Sequence, residues 1–174
     1  MAGPRATDFE RLLNVLQDGG VDHVVVGGVA ANAHGSSMAT QDVDVVYGRS
    51  PENLARLAAA VGPLNPYLRG APPGLPFRLD VPTLRAGLNF TLVTDAGDLD
   101  LLGDMTGGGG FEDVRPHAER LEAFGRDRPI LSLTALIKAK RAAGRPKDLQ
   151  AVAILEALAE EALAEEARGG PDAV

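Results

Sequence analysis

The sequence predicts a single α/β (α+β) domain over residues 1–174: a mixed sheet with flanking helices and a helical C-terminal segment. Three observations predict it. Short apolar runs rich in valine, at 23–26 and 43–46, alternate with segments whose leucines recur at helical spacing. Turn signals separate them: Gly19-Gly20, Gly27-Gly28, Thr94-Asp95-Ala96-Gly97 and Gly144. The length, 174 residues, suits one domain with a sizeable core, and no internal repeat divides it.

Thr7-Asp8-Phe9-Glu10 has the capping-box form, with Thr7 expected as N-cap and Glu10 reaching back. Phe9, Leu12, Leu13 and Leu16 then share one helical face, and Gly19-Gly20 ends the helix. His23 to Val26 reads as a strand buried on both sides, because its valines are continuous. Gly27-Gly28 bends the chain into a short helix starting at Gly28, whose free N–H groups would face an anion; two glycines also simply make a turn. The second strand, Gln41-Asp42-Val43-Asp44-Val45-Val46, sets Asp42 and Asp44 on one face, roughly 7 Å apart. Two carboxylates so placed suit divalent cations bound to phosphates.

Ser50 caps the next helix, with Pro51 in its first turn and Leu54, Leu57, Ala58 and Val61 facing inward. Residues 62–87, with six prolines, read as one long irregular loop. Leu88 to Val93 and Leu99 to Leu102 form an antiparallel pair. Asp98 and Asp100 share a face of the second strand, and an acid in an apolar strand is costly unless paired or metal-bound. Asp100 has apolar neighbours on both sides, and Asp98 and Asp104 are the rival acids nearby. Gly107 to Gly110 is expected to be flexible. Glu119–Phe124 and Pro129–Leu133 read as a hairpin around Gly125-Arg126-Asp127. Thr134 or Ser132 caps a helix on which Leu133, Leu136, Ile137 and Lys140 mark one face and Lys138, Arg141 and Arg145 another. A last helix runs from about Pro146, and residues 166–174 are expected to be a disordered tail.

Composition excludes several classes. There is no cysteine, so disulfides, thiolate metal sites and cysteine nucleophiles are ruled out, and a cytoplasmic location is expected. No run approaches the ~20 apolar residues that span a bilayer, and Met1-Ala2-Gly3-Pro4-Arg5 lacks the apolar stretch of a secretory leader. Aromatics are 4% and net charge is −7, which argues against a base-stacking or general nucleic-acid coat. Yet Lys138, Lys140, Arg141, Arg145 and Lys147 crowd ten positions, the mark of one confined phosphate site. Glycines at 27, 28 and 35 fit neither the Gly-x-Gly-x-x-Gly fingerprint nor a Walker loop, since no Gly-Lys-Ser/Thr follows.

An apolar-Gly-Gly turn, an Asp-x-Asp strand and a third carboxylate on a later strand, in that order, resemble the nucleotidyltransferase superfamily of DNA polymerase beta type. The phrase Ala135 to Leu149 narrows the resemblance to the branch of AbiEii-type toxins of bacterial toxin–antitoxin systems and their uncharacterised relatives. It covers roughly residues 8–158. The resemblance implies a polymerase-beta-like fold and transfer of a nucleoside monophosphate from a nucleoside triphosphate (NTP). It implies Mg2+ or Mn2+ held by Asp42, Asp44 and Asp100, which are thereby the catalytic residues. Gly27, Gly28 and Thr40 would position the phosphates, with Lys138, Arg141 and Arg145 countering the triphosphate; Lys138 is the first choice for its tail, and Lys147 stands beside Arg145. The implied acceptor is an RNA end such as that of a tRNA, and the implied partner a cognate antitoxin protein. The alternatives are a protein- or small-molecule-modifying nucleotidyltransferase and a catalytically idle, antitoxin-like binding partner. His34 is a further nucleotide contact to weigh, and Met38 stands where relatives often carry arginine.

Overall fold

The computed structural model describes residues 5–169. In chain order the elements are α1 (Phe9–Asp18), β1 (His23–Val26), α2 (Gly27–Ala33), β2 (Asp42–Tyr47), α3 (Pro51–Val61), β3 (Tyr67–Leu68), α4 (Val81–Ala86), β4 (Asn89–Thr94), β5 (Gly97–Leu102), α5 (Phe111–Val114), β6 (Ala118–Ala123), β7 (Arg126–Leu131), α6 (Leu133–Ala143) and α7 (Pro146–Arg168). The strands form one mixed sheet in the order β3-β4-β5-β2-β1-β7-β6. β2 runs parallel to β5 and β1 to β7; the other pairs are antiparallel. The chain is therefore mixed α/β with flanking helices, as expected.

Alternation along the strands divides core from site. Val43 and Val45 of β2 and Leu99 and Leu101 of β5 are fully buried, while the aspartates between them lie on the opposite face. β1 is buried throughout, which is why its valines are continuous. Leu12, Leu13 and Leu16 of α1 complete the core. A leucine moved wholly out of water contributes about 1.5–3 kcal/mol.

Several local expectations are corrected. Asp8, not Thr7, caps α1, its Oδ1 accepting from Arg11 N at 3.0 Å. The Thr7 hydroxyl is taken up between strands instead, donating to Gln41 O and accepting from Asp98 N. α2 begins at Gly27, and Ser132 caps α6. The 62–87 stretch is not a structureless loop: it holds β3 and α4, the latter capped by Asp80 with Pro82 in its first turn. β3 escapes a sequence reading because a two-residue strand has no periodicity. The glycine run is fixed, with Met105 N donating to Gly109 O at 2.8 Å and Gly109 N to Met105 O at 2.9 Å. A Cβ at Gly107 would sit 2.4 Å from Ala142 Cβ, so the loop packs against α6.

The β6–β7 turn is Phe124-Gly125, with φ of 51° and 81°, so Arg126 and Asp127 belong to β7. That is a primed hairpin turn, which favours Asn-Gly, and phenylalanine at its first position disguises it. The Phe124 ring stacks on Phe9 at 5.8 Å. Arg128, only 1% exposed, ties the hairpin to α1 through Ala123 O, Phe124 O, Gln17 Oε1 and Asn14 Oδ1. α7 runs on to Arg168, past the point where a tail is expected to begin, and 170–174 lie outside the described residues. Among the described residues no helix is long and apolar enough to cross a membrane.

Candidate active site

The parallel pairing of β2 with β5 sets Asp42 opposite Asp98 and Asp44 opposite Asp100. Since side chains two apart share a face and neighbouring strands lie about 4.8 Å apart, this register packs four carboxylates into one block. One oxygen from each of Asp42, Asp44 and Asp100 lies within 4.8 Å of the others, and all three residues are half-buried. The expected convergence of the three is met. Asp98 joins the block beside Asp42, whereas Asp104 is exposed and lines a neighbouring cavity with Asn89, Leu102 and Met105.

The crowding shows in the electrostatics. Burial pushes the Asp44 carboxyl up to about 8, aided by the charge of Asp42 and a hydrogen bond shared with Asp100. Asp42 is raised too, first by burial and then by the charge of Asp100. Like charges brought together out of water favour the neutral acid, and a bound cation reverses that preference. Three carboxylate oxygens are hard donors of the kind magnesium and manganese prefer.

Gly27 and Gly28 have a local packing task. Gly27 has φ +66°, and a Cβ there would lie 2.1 Å from Asp44 Oδ2. A Cβ on Gly28 would lie 2.5 Å from Thr40 Oγ1. Both glycines thus make room for site side chains. The Thr40 hydroxyl donates to Asp42 O at 3.3 Å and so steadies the start of β2. His34 is drawn away, its Nε2 2.8 Å from Leu131 O, and Met38 lies exposed at the cleft rim.

The basic residues divide differently from the sequence reading. Lys140, Arg145 and Lys147 line a cleft of about 460 Å³ that also contains Gly27, Gly28, Thr40 and the three aspartates. Lys138 does not reach it; it lines a separate cavity with Gly108, Asp113 and His117. Helical geometry explains the exchange. Residues two apart are rotated by about 200°, so with Lys140 turned toward Asp44, Lys138 must face away. Arg141 also points elsewhere and pairs with Glu156 of α7. Arg145 and Lys140 are held by Asp148, which is 1% exposed and accepts from Arg145 Nε at 2.6 Å and Lys140 Nζ at 3.4 Å. The hydrogen bonds from Arg145 hold the Asp148 carboxyl below the usual carboxylate range.

Arg69 is the site residue that sequence reasoning misses. Its Nη2 lies 2.9 Å from Asp100 Oδ1, its Nε 3.4 Å from Asp98 Oδ2 and its Nη1 3.8 Å from Asp42 Oδ2. The residue follows β3 in the proline-rich stretch, and an arginine ahead of a glycine there is the only trace it leaves in the sequence. No protein-family model matches the chain, and the curated proteins searched contain no match to it.

Proposed function

We propose that this chain is a metal-dependent nucleotidyltransferase of polymerase-beta type, moving a nucleoside monophosphate from an NTP to an acceptor hydroxyl. The observation that carries the reading is the meeting of Asp42, Asp44 and Asp100, with ligand oxygens within 4.8 Å, at the floor of a cleft rimmed by Lys140, Arg145 and Lys147. Asp42, Asp44 and Asp100 would hold Mg2+ or Mn2+, which in such reactions neutralises phosphate charge and makes the attacking hydroxyl more acidic. Asp100 takes the proton of that hydroxyl. The acceptor oxygen bonds to the α-phosphorus, the bond to the bridging oxygen breaks, and pyrophosphate leaves. Lys140 and Arg145, fixed by Asp148, counter the charge of the triphosphate together with Lys147, the part first expected of Lys138.

The idle, antitoxin-like reading is disfavoured because all three carboxylates are present and converge. An RNA acceptor is what the resemblance to AbiEii-type toxins implies. Positive charge over 138–147 adds little support for an RNA backbone, because Lys140 and Arg145 pair with Asp148 and Arg141 pairs with Glu156. The acceptor is decided by incubation with labelled NTPs and either total bacterial RNA or lysate protein. Label in a tRNA band, lost in Asp44→Asn, supports the toxin-like reading. Label on protein alone moves the proposal to a protein-modifying enzyme, and label on neither counts against transfer.

A further inference from the structure

We propose that Arg69 is a resident counter-cation of the carboxylate block, whose charge competes with a divalent cation at Asp42, Asp44 and Asp100 and so sets how tightly that cation is held. The inference rests on the metal-binding reading given above.

The guanidinium leans on two of the three prospective ligands, at 2.9 Å from Asp100 and 3.8 Å from Asp42, and on the fourth carboxylate, Asp98, at 3.4 Å. It is not a swinging surface group. Arg69 N donates to Thr91 O at 3.0 Å and Nη2 to Leu92 O at 2.8 Å, so both backbone and side chain are fastened to β4. Its Nε is buried and makes no hydrogen bond, so this nitrogen meets Asp98 as a charge rather than through an aligned N–H. A guanidinium keeps its charge at every physiological pH, so it serves as a permanent cation.

The consequence is antagonism. The same carboxylates attract both cations, and the two cations repel. Even with the screening of bulk water, a +2 and a +1 charge about 5 Å apart repel strongly enough to cost about tenfold in affinity. Removing the charge of Arg69 should therefore tighten divalent binding, although it loosens a side chain that braces the site. A purely architectural arginine, clipping β3 to the sheet, would give the opposite result.

The test is Mn2+ binding, followed by the electron-spin resonance of free Mn2+, in the full chain. Arg69→Gln is expected to tighten binding about tenfold. Arg69→Lys, which keeps the charge, is expected to stay near the wild type. Arg69→Met keeps the apolar stem, carries the same expectation as Arg69→Gln and decides the matter if the glutamine variant fails to fold. Unchanged or weaker binding in the neutral variants, or equal tightening in Arg69→Lys, overturns the inference. Asp44→Asn separates this from failure of the metal reading. If it binds Mn2+ as the wild type does, or if no form binds, the metal-site reading falls and takes the inference with it. If only Asp44→Asn loses binding and Arg69 makes no difference, the inference alone fails.

Discussion

Asp44→Asn is expected to yield a protein that, without divalent cations, is more stable than the wild type above neutral pH and yet no longer binds those cations. Asp44 has its folded-state value raised to about 8, above the ordinary value of 3.8. A raised value means that the folded protein holds the proton more firmly than the unfolded chain does. Its contribution to stability is full below the unfolded value and is lost as pH rises toward and through the folded one. Wild-type stability should therefore decline across the window from 3.8 to about 8, relative to a variant that does not titrate there. Asparagine keeps the shape and can still hydrogen-bond Asp100. Thermal melts at acid and alkaline pH read the gap, which should widen with pH. The cost is in binding: changes to residues that merely support a metal ligand lower affinity by about 10–100-fold, and loss of a ligand should exceed that. A gap that narrows as pH rises would contradict the electrostatic account of the block.

Gly27→Ala is expected to be the most damaging single-methyl change in the cleft. A non-glycine residue at its φ of +66° costs about 1–2 kcal/mol from backbone conformation alone. The new Cβ would also meet Asp44 Oδ2 at 2.1 Å, so Asp44 must move or the turn must open. Gly125→Ala is the matched control, because Gly125 has φ +81° with nothing within 4 Å of the added methyl. The control should lose only the conformational part and keep cation binding. Gly27→Ala should lose more stability, by denaturant titration, and weaken Mn2+ binding severely. If the two variants lose equal stability and both bind Mn2+ normally, Gly27 is an ordinary turn residue and the close fit to Asp44 is of no consequence.

Much of this architecture is legible in the sequence where period and chemistry agree. The Asp-x-Asp alternation of 42–44 and the apolar flanks of Asp100 place three carboxylates on strand faces, and β2–β5 pairing brings them together. What is not legible is register across elements distant in sequence. Nothing in Tyr67-Leu68-Arg69 announces that a two-residue edge strand delivers its arginine to Asp100, 31 positions away. The basic run over 138–147 fails for another reason: its charges are visible, but their direction depends on the rotation of α6 about its axis, which packing of Leu136, Ile137 and Ala139 decides. Helix spacing groups Lys138 with Arg141, which both lie away from the cleft, but wrongly adds Arg145, which falls beyond the end of α6 and lines the cleft. The glycines at 27 and 28 are legible as a turn, but the side chains they make room for belong to Thr40 and Asp44.

Isothermal calorimetry with each of the four ribonucleoside triphosphates, with and without Mg2+, decides whether the cleft is a metal-dependent nucleotide site. At least one NTP is expected to bind, only with Mg2+ present, and Asp42→Asn is expected to remove the Mg2+-dependent part, since an amide cannot replace the lost charge. Equal binding in both conditions, or no binding of any NTP, would contradict it.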